Sequence, residues 1–200
     1  MIRKLMSQPN MLPSGFLPGD HNIEFVGKRD TKTVLFLQNG ETHLFSELSD
    51  GIYKKLKALY LKDKTANDVL SVFYPEHQND TKRLVELYTY YMYGCLDSVP
   101  DVKNGKLQPS ENFRDNSQCI SQLFSEKHIT VADVELNDRD LIILDAMADG
   151  LPDKTIADSI GISQSTLDFH KRNLFKRLSV HSKTEAVVKA YKNNVLCNKS

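Results

Sequence analysis

The chain has no tryptophan and only three cysteines in 200 residues. Cys95, Cys119 and Cys197 are odd in number and far apart, which excludes a disulfide framework and a zinc-site spacing. Reduced thiols in a cytoplasm are the expectation. No apolar run approaches the ~20 residues that a membrane helix needs. Met1 to Met6 leads into no apolar core, so no signal peptide is expected either. An excess of charge is also lacking. There are 26 basic and 26 acidic residues, so the global balance does not point to nucleic acid. Catalytic apparatus is missing as well. His21, His43, His77 and His128 are scattered, with no cysteine or serine at a telling spacing. Gly27-Lys28 lacks the preceding glycine and following Ser or Thr of a phosphate-binding loop. The expectation is a chain that is not an enzyme and holds no cofactor and no metal.

What is present is an ordinary globular composition, 40% hydrophobic and 26% charged, over a length that suits one or two domains. Residues 1–20 hold Pro9, Pro13, Pro18, Gly15 and Gly19 and read as an irregular tail. Residues 21–97 read as an α+β domain. Ile23 to Val26 suggests a short strand. Val34 to Leu37 and Thr42 to Phe45 flank Asn39-Gly40, a strong two-residue hairpin signal because both positions tolerate positive φ. A small antiparallel sheet follows from this. About three helices come next: Asp50 to Leu61, a second from Thr65 or Asn67 to Phe73, and a third from Asp80 or Thr81 to near Gly94. The third carries Tyr88, Tyr90, Tyr91 and Tyr93, which could stack bases but read more readily as core and partner surface. Residues 98–130 shift to Pro, Asn, Ser, Gly and charge, a linker candidate with a short helix near Gln118 to Phe124.

From residue 131 to 200 the pattern is helical with clear punctuation. Asn137 can cap a helix whose apolar residues Ile143, Leu144 and Met147 fall three and four apart, and Gly150 stops it. A second helix from about Asp153 to Ile160 buries Ile156 and Ala157. Gly161-Ile162 makes a tight turn, and Ser163 caps a third helix, 164–178, with Leu167, Leu174 and Leu178 inward. Asp168, Lys171, Arg172, Lys176 and Arg177 lie outward. Two short helices joined by such a turn are a helix-turn-helix, whose second helix enters the DNA major groove. Ser182 with Glu185 is a capping box for a fourth helix that buries Ala186, Val187 and Ala190. From Ser163 onward there are eight basic residues against two acidic ones, the local asymmetry that phosphate contacts need.

Leu136, Arg139, Gly150, Leu151, Lys154, Ile156, Ala157, Ile162, Ser163, Thr166, His170, Asn173, Leu178, Val180, Ser182, Glu185 and Ala186 stand in register without a gap. Through them the stretch resembles the DNA-binding domain of the LuxR (NarL/FixJ) class of bacterial transcription regulators. The resemblance implies an all-α four-helix helix-turn-helix domain over residues 131–200, following the α+β domain. It departs at Pro152-Asp153, where the family usually has Ser-Asn, and at Thr155, where the family's Glu and its capping box are lost. It departs again at Asp168, where the family often has a Lys that reaches base edges. A carboxylate cannot pair with guanine acceptors but can accept from the cytosine amino group.

The resemblance implies a sequence-specific, double-stranded-DNA-binding transcription regulator. Asp168, Phe169 and Arg172 are the expected base contacts. Phe169 suits a thymine methyl, and Arg172 can fork to guanine. Lys154, Thr166, Lys171, Lys176 and Lys183 are the expected phosphate contacts, which position without reading sequence. Family members commonly act as homodimers, and Val188 and Tyr191 are the dimer candidates. The alternative is a helix-turn-helix protein-interaction module that has lost specific DNA binding, with Asp168 as its evidence. The N-terminal part lacks the βα alternation and paired acidic residues of a phosphoacceptor receiver. A ligand-binding or dimerisation role stays open for it. Sheet plus helices without a recognisable site favours protein–protein contact, with transcription machinery or another protein.

Overall fold

The computed structural model of the chain describes residues 12–196. Cys197, Lys199 and most of the proline-bearing tail lie outside them. Three strands, β1 (Glu24–Lys28), β2 (Thr33–Gln38) and β3 (Glu41–Leu44), form an antiparallel sheet in the order β1-β2-β3. The Asn39-Gly40 turn sets the register of β2 on β3, pairing Gln38 with Glu41 and Leu35 with Leu44. Both turn residues have positive φ, +54° and +83°, the conformation a tight hairpin demands. Alternation along β2 puts Val34 and Phe36 inward, where Phe36 meets Phe25 of β1 edge-on at 6.5 Å.

Helices α1 (Asp50–Lys62), α2 (Lys64–Phe73) and α3 (Thr81–Tyr93) follow. Helix α3 packs on β1 and β2 and also on α1 and α2, so it is covered nearly all round. That explains why it carries so many aromatics with so little polar face. Tyr88, Tyr90, Tyr91 and Tyr93 are all buried, which removes them as base-stacking groups. Their hydroxyls end on polar partners, as buried tyrosines require. Tyr91 pairs with the Tyr74 hydroxyl at 2.6 Å, and Tyr93 donates to Gln108 O at 3.0 Å.

The polar stretch 98–130 is fastened on both sides. A short hairpin of β4 (Val102–Lys103) and β5 (Lys106–Leu107) bridges to Ile23. A 3-10 turn at Ile120–Leu123 follows, and Phe113, Cys119 and Phe124 enter the N-terminal core. Buried Asp63, which caps α2 through Ala66 N, also accepts from Ser125 N, Ser125 Oγ and Glu126 N. Asn112 and Arg114 face the other way. The Asn112 side chain donates to Thr130 O and Asn193 O, both at 2.7 Å. A low-apolar composition thus covers a segment held by side-chain hydrogen bonds more than by its own core.

The C-terminal unit has one addition to the all-α expectation. A two-stranded hairpin, β6 (Thr130–Val131) and β7 (Val134–Glu135), precedes the helices. Then come α4 (Asp138–Ala148), α5 (Asp153–Ser159), α6 (Gln164–Leu178) and α7 (Lys183–Lys192). Their buried side chains form a second core around Ile143, Leu144, Ile156, Leu167, Leu174 and Ala186. Asn137 caps α4 as expected, with Asp140 completing a capping box. At α7 the Ser182 side chain accepts from Glu185 N, while the Glu185 carboxylate accepts from His181 N, one residue before the expected partner. No helix among the described residues is long and apolar enough to cross a membrane.

Candidate nucleic-acid interface

Helix α5 has no side-chain cap at its start. Pro152 stands at the N-cap and supplies no side-chain bond, so the helix depends on burying Ile156 and Ala157. The turn to α6 passes through Gly161 at φ +68°, and Ile162 N donates to Ala157 O at 3.0 Å. Ser163 then caps α6, accepting from Thr166 N. Leu167, Leu174 and Leu178 recur every seven and four residues, one stripe of a 3.6-residue period, and all three are buried. The stripe locks α6 against α4 and α5 and turns the opposite side outward.

That outward side is centred on Phe169, Arg172 and Lys176, spaced three and four apart and all exposed. Phe169 is 54% exposed, unusual for phenylalanine in a folded chain. Asp168 is exposed at the edge of the same face, and its backbone carbonyl accepts from Arg172 Nε at 3.3 Å. Among the described residues, the side-chain bonds of α6 stay within the C-terminal unit. Among the described residues, the N-terminal unit does not cover this face.

The other expected contacts are not alike. Lys154 on α5 and Lys176 on α6 are exposed and make no ion pair among the described residues. Thr166 is tied into the cap, its Oγ1 2.8 Å from Ser163 Oγ. Lys171 binds Asp153 at 2.6 Å and so straps α6 to the start of α5. Lys183 donates to Leu151 O at 3.0 Å, holding α7 to the loop before α5. Arg177 is exposed, as an outward residue of α6 should be, and it also reaches Asp140 at 2.7 Å and donates to Glu135 O. Val188 and Tyr191 are exposed on α7. Tyr191 also borders a small pocket with Arg29, Phe113 and Arg114, so part of its edge faces the N-terminal unit.

A pairing beside Phe169 escaped the sequence reading. Arg139 at the start of α4 donates to Nε2 of His170 at 3.2 Å. Both residues lie beside Phe169 and Asn173 in a shallow cleft along α6. Their separation of 31 positions hides the contact from any local pattern. This face is polar and basic, has no gathered metal ligands among the described residues, and offers a forked guanidinium and an exposed ring.

Residues 134–190 match the model of the bacterial regulatory proteins, luxR family. This luxR-family helix-turn-helix domain is similar to curated bacterial proteins. A "Nitrate/nitrite response regulator protein homolog" of Haemophilus influenzae is 41% identical over 59 residues, 30% of this chain and 28% of that protein. The "Nitrate/nitrite response regulator protein NarP" of Escherichia coli is 33% identical over 76 residues, 36% of this chain and 35% of that one. The "Virulence factors putative positive transcription regulator BvgA" of Bordetella pertussis is 26% identical over 117 residues, 58% of this chain and 46% of its own. The chain thus spans less than half the length of these relatives. No solved structure matches.

Proposed function

We propose that this chain is a sequence-specific DNA-binding transcription regulator that reads the major groove with α6. The observation that carries the reading is the uncovered outward face of α6 within a luxR-family domain. Phe169 and Arg172 stand at its centre and Asp168 at its edge, as one apolar, one forked-donor and one acceptor group. Those are the three kinds of side chain that discriminate thymine, guanine and cytosine in the major groove. Lys154 and Lys176 flank them as phosphate contacts. Thr166, Lys171 and Lys183 reach phosphate only while keeping, or exchanging, the bonds described above. Val188 and Tyr191 serve pairing of two copies on two half-sites, and the N-terminal unit takes a protein partner.

Selection of the full chain against a random duplex DNA pool at two salt concentrations tests the reading. Enrichment of a two-part motif, with affinity falling steeply in salt, is expected. A second reading, a protein-interaction module, is favoured by Asp168, whose negative charge opposes the phosphate field. It predicts no enriched motif and little response to salt.

A further inference from the structure

Four carboxylates converge in the N-terminal unit, away from the DNA-facing side. Glu24, at the start of β1, is fully buried. Its Oε1 accepts from Asp97 N at 2.7 Å, while its Oε2 has no hydrogen-bond partner. Glu111 repeats the arrangement, with Oε2 accepting from Cys95 N at 2.9 Å and Oε1 buried and unpartnered. Asp97 lies at the rim, half-buried, with Oδ1 accepting from Val99 N and Oδ2 from Asn194 Nδ2. Asp101, buried beside them, accepts from Phe25 N at 2.7 Å. One carboxylate oxygen from each of Glu24, Asp97 and Glu111 lies within 4.8 Å of the other two.

Two partnerless carboxylate oxygens inside a protein are costly, because each gives up hydration without replacement. The nearby cation does not satisfy them. Lys127 is buried, and its ammonium donates to Tyr91 O at 2.7 Å. Burial and the neighbouring carboxylates push Glu24 up to about 9 and Glu111 to about 8, and Asp101 rises well above the carboxylate range. A cation entering here would displace the protons that Glu24 and Glu111 hold near neutrality. The three side chains offer hard oxygen donors around one point, with Asp97 at the rim as the way in. Ca²⁺ accepts several carboxylates in a flexible shell, whereas Mg²⁺ is usually bound through one or two carboxylates and keeps several waters.

We propose that Glu24, Asp97 and Glu111 bind a hard divalent cation, Ca²⁺ in preference to Mg²⁺. The ion would take the unpartnered Glu24 Oε2 and Glu111 Oε1 together with an Asp97 oxygen, water completing its shell. Asp101 stays with Phe25 N and holds β1 in place. The ion would join three segments distant in sequence: β1, the loop after α3, and the stretch leading to Arg114. Through the Asp97–Asn194 bond it would also touch the end of the C-terminal unit.

The test uses the full chain with Tb³⁺ and with Ca²⁺ or Mg²⁺. The chain has no tryptophan, so sensitised Tb³⁺ emission must come from tyrosine, and Tyr93 lies near Asp101 and Glu111. Expected are sensitised emission, its displacement by Ca²⁺ at lower concentration than by Mg²⁺, and a Ca²⁺-induced rise in Tm of about 5 °C. Glu24→Gln and Asp97→Asn should each lose all three effects. Asp97 is half-exposed, so Asp97→Asn keeps a folded protein for the comparison. The exposed Glu41→Gln should keep them. Absence of emission and of a Tm shift in the unaltered chain overturns the proposal, as does their survival in Asp97→Asn. Displacement by Mg²⁺ before Ca²⁺ overturns the choice of ion. None of these readouts involves DNA, so this proposal and the regulator reading fail separately.

Discussion

Arg114 places its two terminal guanidinium nitrogens on the two carboxylate oxygens of Asp145, at 2.9 and 2.8 Å. Its Nε and Nη2 also donate to Val195 O, at 3.1 and 2.7 Å. Arg114 is fully buried, so this fork joins residues 98–130 to α4 and to the chain after α7. Truncating one partner of a buried pair leaves the other charge without compensation. Arg114→Ala should therefore cost about 3 kcal/mol in urea unfolding. It should also split one transition into two, because the units lose their shared fastening. A single transition at the original midpoint would show that the fork contributes little.

For recognition, the decisive substitution is Arg172→Ala. It should cost ~1–3 kcal/mol, concentrated at one base position of the selected motif. Binding isotherms against all single-base variants of that motif are the measurement. Equal losses on every variant would move Arg172 to the phosphate contacts.

Lys176 should behave in the opposite way. Lys176→Ala is expected to weaken binding to all duplexes and to lower the log–log salt slope by about one unit. Lys171→Ala gives a contrast. It breaks the strap to Asp153, so part of its effect should appear as lost thermal stability of the free protein. A salt slope unchanged by Lys176→Ala would remove that residue from the DNA-facing set.

Stability of the cation-free chain should depend on pH through the buried carboxyls. Glu24 and Glu111 have folded-state values raised to about 9 and about 8. The folded chain therefore holds more protons than the unfolded one between the ordinary carboxylate range and those values. Their contribution is present at low pH and is lost as pH rises. Lys127, pushed down to about 8, works in the other direction only above that pH. Melting in EDTA should show Tm falling from about pH 5 to about pH 8, and Glu24→Gln should flatten the fall. A Tm that climbs over this range would contradict the assignment.

The helix-turn-helix was legible because each of its constraints is local. Ser163 caps within three residues, Gly161 turns within one, and Leu167, Leu174 and Leu178 show their stripe by spacing alone. The Asn39-Gly40 hairpin was legible for the same reason. The contacts that escaped are long-range and polar. Arg114 with Asp145, Arg139 with His170 and Arg177 with Asp140 each join positions 31 or 37 residues apart, and no periodicity marks them. Residues 98–130 read as a linker because composition registers apolar content, and this segment is held largely through Asn112, Arg114, Ser125 and Lys127. The carboxylate cluster was equally hidden, since Glu24, Asp97, Asp101 and Glu111 meet only when β1 lies beside the loop after α3.

The Asn112 side chain donates to Thr130 O and accepts from Thr130 N, both at 2.7 Å. It thereby treats β6 as a neighbouring strand would. Together with Arg114 it holds the C-terminal unit through Thr130, Asn193, Val195 and Asp145, none of them on α6. On the regulator reading proposed above, a push on residues 98–130 would tilt the face of α6 as a hand turns a handle.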